Sequence, residues 1–186
     1  MGEMASSLKF DSSKGNTEIS STLPGKDYLE HLKKINDVFY DQIKIADQKA
    51  AYIFTFMLAF MITSAEGRSA FQWQRYIEAQ FPLVIFSACM AVAATFSLVA
   101  AILVVLPRRG LRSTSLFWGG WDANRTALLA AGERNDPGFL YQEYLGNIDT
   151  LSIIAKAKYH FVNLAFRGLI VMVIAYVLLL IAAGSR

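Results

Sequence analysis

The sequence predicts an all-α integral membrane protein, with three transmembrane helices and long amphipathic cytoplasmic helical extensions. Three observations predict it. Phe81 to Leu106 is an apolar block with no Asp, Glu, Lys, Arg, His, Asn or Gln. Gly168 to Ala183 is also uncharged, and its apolar pattern reaches back to Phe161 with Asn163 and Arg167 as the interruptions. Both approach or exceed the roughly 20 mostly apolar residues that a helix needs to cross a bilayer. Finally, two long stripes of helical period run toward apolar blocks with no Pro or Gly at the point of entry. The hydrophobic content of 54% and mean hydropathy of +0.35 agree with this class.

In chain order, the first 22 residues are rich in Ser, Lys, Gly, Asn and Thr. With little to bury, residues 1–25 are expected to be a disordered tail. The remainder, 26–186, reads as a single helical membrane domain. After Pro24-Gly25, the residues Tyr28, Leu32, Ile35, Phe39, Gln42 and Ala46 recur every three or four positions with charges opposite them. No Pro or Gly interrupts from Lys26 to Ser64. The stretch therefore reads as one helix, cytoplasmic over 26–45 and membrane-spanning over about 46–65. Asp47, Gln48 and Lys49 would lie at its membrane edge. Because this block starts behind a polar stretch, no secretory signal is expected, and the block is read as a retained span.

The second span is read over 81–106 and the third over 161–183. Between them, 107–160 forms the rest of the cytoplasmic helical region. Pro107 stops the second span, and Arg108 and Arg109 meet the headgroups. The stretch from Asp122 to Ala131 is helix-compatible. Asp136-Pro137-Gly138 marks a helix start, after which Leu140, Tyr144, Ile148, Leu151, Ala155 and Tyr159 form a second stripe leading into the third span. Trp73, Tyr76 and Trp121 are expected in the interfacial aromatic belt.

Orientation follows from charge. The segments up to Lys49 and from Pro107 to Arg167 carry seven and eight basic residues, fifteen of the 18 in the chain. The positive-inside rule places both in the cytoplasm and the last residues outside. The pI near 9.0 is thus explained by membrane topology rather than by a nucleic acid polymer. Cys89, the one cysteine, falls inside the second span. It excludes a structural disulfide or a cysteine metal site, and is expected to be a small buried hydrophobe.

Enzymatic chemistry is poorly supplied. His31 and His160 lie on different helices, and no HExxH, GxSxG, CxxC or Walker pattern occurs. No catalytic residue, metal or cofactor is assigned. Binding chemistry is better supplied. Arg108, Arg109, Arg112, Arg125, Lys156 and Lys158 interleave with Phe117, Trp118, Trp121, Tyr144 and Tyr159. Cations that neutralise a phosphate, beside aromatics that stack on a base, outline a nucleotide site. Arg108, Arg109, Arg112, Trp118, Lys158 and Tyr159 are the candidates. The competing reading gives the arginines to lipid headgroups and the aromatics to interface or core. Asp47 and Lys49 are two apart and do not face each other on a helix. Each is expected to pair elsewhere, Asp47 with Lys156 or Lys158.

Several of these residues carry a resemblance. Ala46-Asp47-Gln48-Lys49-Ala50 opens the first span, Leu106-Pro107-Arg108 closes the second, and Leu116-Phe117-Trp118-Gly119 follows. Asp149-Thr150-Leu151-Ser152-Ile153-Ile154-Ala155 then leads to Lys158-Tyr159 and the last span. In order and spacing, Tyr28 to Ala183 resembles the transmembrane effector family of the bacterial Pycsar anti-phage systems. The resemblance implies a partner cyclase that makes cyclic CMP or cyclic UMP on infection. It implies an effector that this nucleotide activates to impair the bacterial inner membrane. Asp47, Lys49, Lys158 and Tyr159 come across as motif positions without an assigned role. No cyclic-nucleotide-binding β-roll is present, so any direct sensing falls to the helical cytoplasmic region. A homo-oligomer is expected, since three spans cannot enclose a wide pore alone. The rival reading is a non-permeating membrane-anchored scaffold that docks a soluble partner through its amphipathic helices. A small transporter subunit is disfavoured by the scarcity of ionisable groups in the spans.

Overall fold

The computed structural model describes residues 25–78, 81–107 and 114–184, with the backbone alone at Glu78 and Trp118. The described residues form α1 (Lys26–Thr63), α2 (Ala65–Ser69), α3 (Trp73–Glu78), α4 (Phe81–Val105), a 3-10 turn (Trp118–Gly120), α5 (Trp121–Glu133) and α6 (Pro137–Gly184). There is no strand among them. α1, α4 and α6 are each long and apolar enough to cross a membrane. The chain is therefore an all-α membrane protein. The expected tail over 1–25 lies, but for Gly25, outside the described residues.

α1 runs unbroken through 38 residues, about 57 Å, and α6 through 48 residues, about 72 Å. Both exceed the roughly 30 Å hydrocarbon core, whereas the 25 residues of α4 span about 37 Å. α1 and α6 run parallel, α4 runs antiparallel between their apolar halves, and the polar halves extend together beyond its end. That shared extension is the polar end of the bundle.

Within the spans, small residues bring α4 and α6 close. Ala93, Ser97 and Ala101 on α4 are buried at four-residue spacing, and Ala165 and Gly168, three apart, are buried on α6. Ser97 Oγ donates to the Ala165 carbonyl at 2.8 Å. Lipid tails are as apolar as leucine, so close packing and such bonds, rather than expulsion from water, hold spans together. Met57, Met90, Met172 and Leu179 fill the centre without exposure. Cys89 departs from expectation. It is exposed on the outer side of α4, because the buried face there runs through Ser87, Met90 and Ala94.

The connection from α1 to α4 is itself ordered, through α2 and α3. Ser64 leaves the helix in an extended conformation, and its hydroxyl accepts the Gly67 N–H at 3.1 Å, capping α2. Arg75 reaches back to Glu66 at 2.7 Å, and the Tyr76 hydroxyl donates to the Ala70 carbonyl. Phe71, Trp73, Ile77 and Phe81 are left exposed, as suits a segment lying at a membrane interface.

The joint between α5 and α6 follows local rules. Asn135 adopts a positive φ of 49°, and the N–H groups of Asn135 and Asp136 bond the carbonyls of Gly132 and Ala131. This closes α5 in a Schellman motif. Asp136 then caps α6 by accepting from Gly138 and Phe139, with Pro137 at the first helical position.

Candidate functional site

The chemistry gathers where the polar extension meets the spans. Lys158 lies on the buried face of α6, with 8% of its side chain exposed. Its ammonium donates to the Asp47 carboxylate on α1 and, at 2.8 Å, to the Val104 carbonyl at the end of α4. Val104 is one of the last residues of its helix, so its carbonyl has no partner further along α4. A cation placed there satisfies that oxygen and faces the negative end of the helix dipole. One lysine thus ties all three spanning helices at a single level. Of the two partners expected for Asp47, Lys158 is the one it takes, while Lys156 is exposed on another face.

Lys49 and Tyr159 form the adjoining contact. The Lys49 ammonium sits 5.6 Å from the centroid of the Tyr159 ring, and the Tyr159 hydroxyl donates to Gln42 Oε1 at 2.5 Å. The two short motifs, Asp47 with Lys49 and Lys158 with Tyr159, therefore pair across the α1–α6 seam.

Beside this clamp opens a cleft of about 650 Å³, lined by Tyr40, Asp41, Lys44, Asp47 and Gln48 of α1 and by Val105 of α4. Its size lies in the range of small-ligand sites. The residues after the arginine-bearing segment are fastened nearby. Leu116 O accepts the Tyr40 hydroxyl at 3.4 Å, and the Ser115 N–H donates to Glu143 at 2.6 Å. Thr114 Oγ1 donates to Asn147 at 3.3 Å. Asn147 in turn donates to Asn36 at 2.6 Å, within a wholly buried polar patch.

Of the candidates from sequence, Arg108, Arg109 and Arg112 lie outside the described residues. Trp118 begins the 3-10 turn, on the segment held against Tyr40. Lys158 and Tyr159 are brought together, but both are engaged by α1. The ammonium of Lys158 points into the helix junction, so a phosphate could reach it only by displacing Asp47, which is 38% exposed and lines the cleft. Tyr40, Asp41 and Lys44 were not singled out from the sequence. They stand on the charged side of the first stripe, where a cleft wall and a solvated face have the same composition. Among the described residues, no group of three His, Cys, Asp or Glu side chains is placed to hold a metal.

The Pycsar effector protein domain, PycTM, matches residues 31–184. The chain belongs to this family. It is accordingly an effector of anti-phage defence, and the matched range holds the clamp, the cleft and all three spans. The Asp47–Lys158 and Lys49–Tyr159 contacts give this effector's motif positions a shared place in the fold. No curated protein and no solved structure matches the chain.

Proposed function

We propose that this effector impairs the bacterial inner membrane when a cyclic pyrimidine mononucleotide, cyclic CMP or cyclic UMP, binds in the cleft beside the Asp47–Lys158 clamp. The observation that carries the reading is the position of that cleft. It is open, of ligand size, and walled by Asp47, whose carboxylate holds Lys158 and through it all three spans. A phosphate entering beside Asp47 competes with it for cations and repels it. Binding thereby favours a second arrangement of the helices, and the nucleotide shifts the population by its differential affinity for the two. Arg108, Arg109 and Arg112 supply positive charge from the segment between Pro107 and Thr114, and Trp118 a stacking surface.

In this reading the effector is not an enzyme, and a partner cyclase makes its ligand. The N-terminus and polar extension are cytoplasmic and the C-terminus extracytoplasmic, as the basic residues demand. Several copies act together, because one three-helix bundle is filled at its centre. The test is calorimetric titration of the detergent-purified chain with cyclic CMP, cyclic UMP and cyclic AMP, alongside membrane potential in cells that make it. Selective pyrimidine binding with depolarisation is the expected result. Absence of both overturns the reading.

The scaffold reading draws on α5, which exposes Trp121 and Leu129 and buries Ala131. It predicts that the chain never depolarises cells, whatever nucleotide is supplied.

A further inference from the structure

Arg167 occupies an unusual place. A Cβ built on its neighbour Gly168 would lie 2.9 Å from Ser97 Cβ and 3.2 Å from the Ala93 carbonyl oxygen. Ala93 is the central residue of the 25-residue α4, which carries no charge along its length. Arg167 therefore starts inside the spans, level with Ser97, about 6 Å from the centre of α4 and about 14 Å beyond the level of Lys158. An arginine side chain extends about 7 Å and the hydrocarbon half-thickness is about 15 Å, so the guanidinium falls short of the headgroups. Yet Arg167 is exposed, at the rim of a groove of about 310 Å³ otherwise lined by Cys89, Val92, Ala93, Phe96, Gly168 and Val171.

A charge at that depth needs a counter-ion or water. Among the described residues the ion pairs are Lys26–Glu30, Glu66–Arg75 and Asp47–Lys158, so Arg167 is in none. A second copy offers no counter-ion at this depth either, since the spans hold no carboxylate beyond Asp47. Water remains, and water at that depth needs an enclosure. The centre of one bundle is packed solid with Met57, Met90 and Met172, so the enclosure must form between copies.

The face of α6 that carries Arg167 fits this need. Lys156, His160, Asn163 and Arg167 follow one another at spacings of four, three and four, and all are exposed. They lie on one helical face, away from the buried face of Ala155, Lys158, Val162 and Ala165. Further along the same face stand Ile174, Leu178 and Ile181, also exposed. We propose that copies of the chain assemble with this face of α6 turned inward, around a water-filled vestibule that reaches Arg167 and is closed beyond it by Ile174, Leu178 and Ile181. Lined by cations, the vestibule draws small anions, and its apolar far end is a dewetting gate. This inference rests on the reading of the chain as a membrane-impairing oligomer, but the vestibule belongs to the resting state and needs no nucleotide.

The test uses the full chain in open membrane fragments, with Cys89→Ser as background. Asn163→Cys and Phe166→Cys are each treated with a sulfonate-bearing and a trimethylammonium-bearing thiol reagent. Phe166 is exposed on a different face, about 4.5 Å further in than Asn163 and level with Arg167 to within one residue. A thiol in hydrocarbon does not ionise and so does not react. The expected result is modification of Asn163→Cys roughly tenfold faster than Phe166→Cys, with the anionic reagent ahead of the cationic one. Equal, slow modification of the two positions overturns the proposal, and so does equal reaction of Asn163→Cys with both reagents. Should Asn163→Cys fail to accumulate, Arg167→Cys against Phe166→Cys gives the same comparison with the anionic reagent. Labelling that succeeds while cyclic nucleotides leave the membrane potential unchanged would retire the ligand reading and keep this one.

Discussion

Asn147 on α6 donates its side-chain amide to Asn36 on α1 at a sequence separation of 111, and Lys158 and Asp47 repeat that separation eleven residues further along. Two polar contacts at one offset fix the register of two parallel helices. A slip by one residue would leave both pairs unmatched, as it does a buried asparagine in a coiled coil.

Asn147→Ala should therefore destabilise the chain by about 1–3 kcal/mol, since it leaves Asn36 and Thr114 buried without that partner. Replacing both asparagines with leucine should cost less than the worse single alanine change, because no polar group is then stranded. Thermal unfolding in detergent, followed by helical signal, checks the order.

The clamp makes a directional prediction. Asp47→Ala leaves the Lys158 charge buried with only the Val104 carbonyl, and should cost about 2–4 kcal/mol. The figure sits below that of a wholly buried pair because Asp47 is partly exposed. Lys158→Met, a similar volume without charge, should cost less than Asp47→Ala. Melting temperatures of the two variants and of the double variant measure the coupling.

The long helices and the three spans were legible because length and period carry them. α1 has no internal Pro or Gly, α6 has none between Gly146 and Gly168, and Asp136-Pro137 announces its own helix. The polar seam was not legible. The apolar period picks out Tyr28 and Leu140, which the fold leaves exposed, and passes over Asn36, Asn147 and Thr150, which it buries. A polar residue at a seam looks like a solvated one until its partner, more than a hundred residues away, is known. The ordered α2–α3 connection was hidden for a similar reason. Its stability comes from the Ser64 cap and the Glu66–Arg75 pair rather than from any apolar period. For the candidate site, Lys158 and Tyr159 lie where the polar extension meets the spans, in contact with α1, and Lys158 faces inward to α4 and α1, which no local pattern in the sequence announces.

Gly168 tests the packing between α4 and α6. An added methyl would meet Ser97 Cβ, Phe96 and the Ala93 carbonyl, two of them backbone or near-backbone atoms that cannot swing aside. Gly168→Ala should cost about 1–3 kcal/mol, and Gly168→Leu more, through separation of the two spans and loss of the Ser97–Ala165 bond. Gly184→Ala, with open space around it, should be silent in the same unfolding measurement.

The last prediction separates a built ligand site from diffuse positive charge. If the nucleotide sits in the cleft beside Asp47, then Lys44→Ala, Arg109→Ala and Trp118→Ala should each weaken cyclic pyrimidine binding by about tenfold, the loss of one charge-assisted bond or one stacking contact. Lys156→Ala removes a charge of the same sign from an exposed face of α6, and should leave affinity within about twofold. Calorimetry on the four variants at one salt concentration reads the difference. A graded loss that includes Lys156 would mean that the extension attracts anions without recognising them. A loss confined to Lys44, Arg109 and Trp118 would place phosphate and base on two sides of one cleft, next to the carboxylate that holds the spans together.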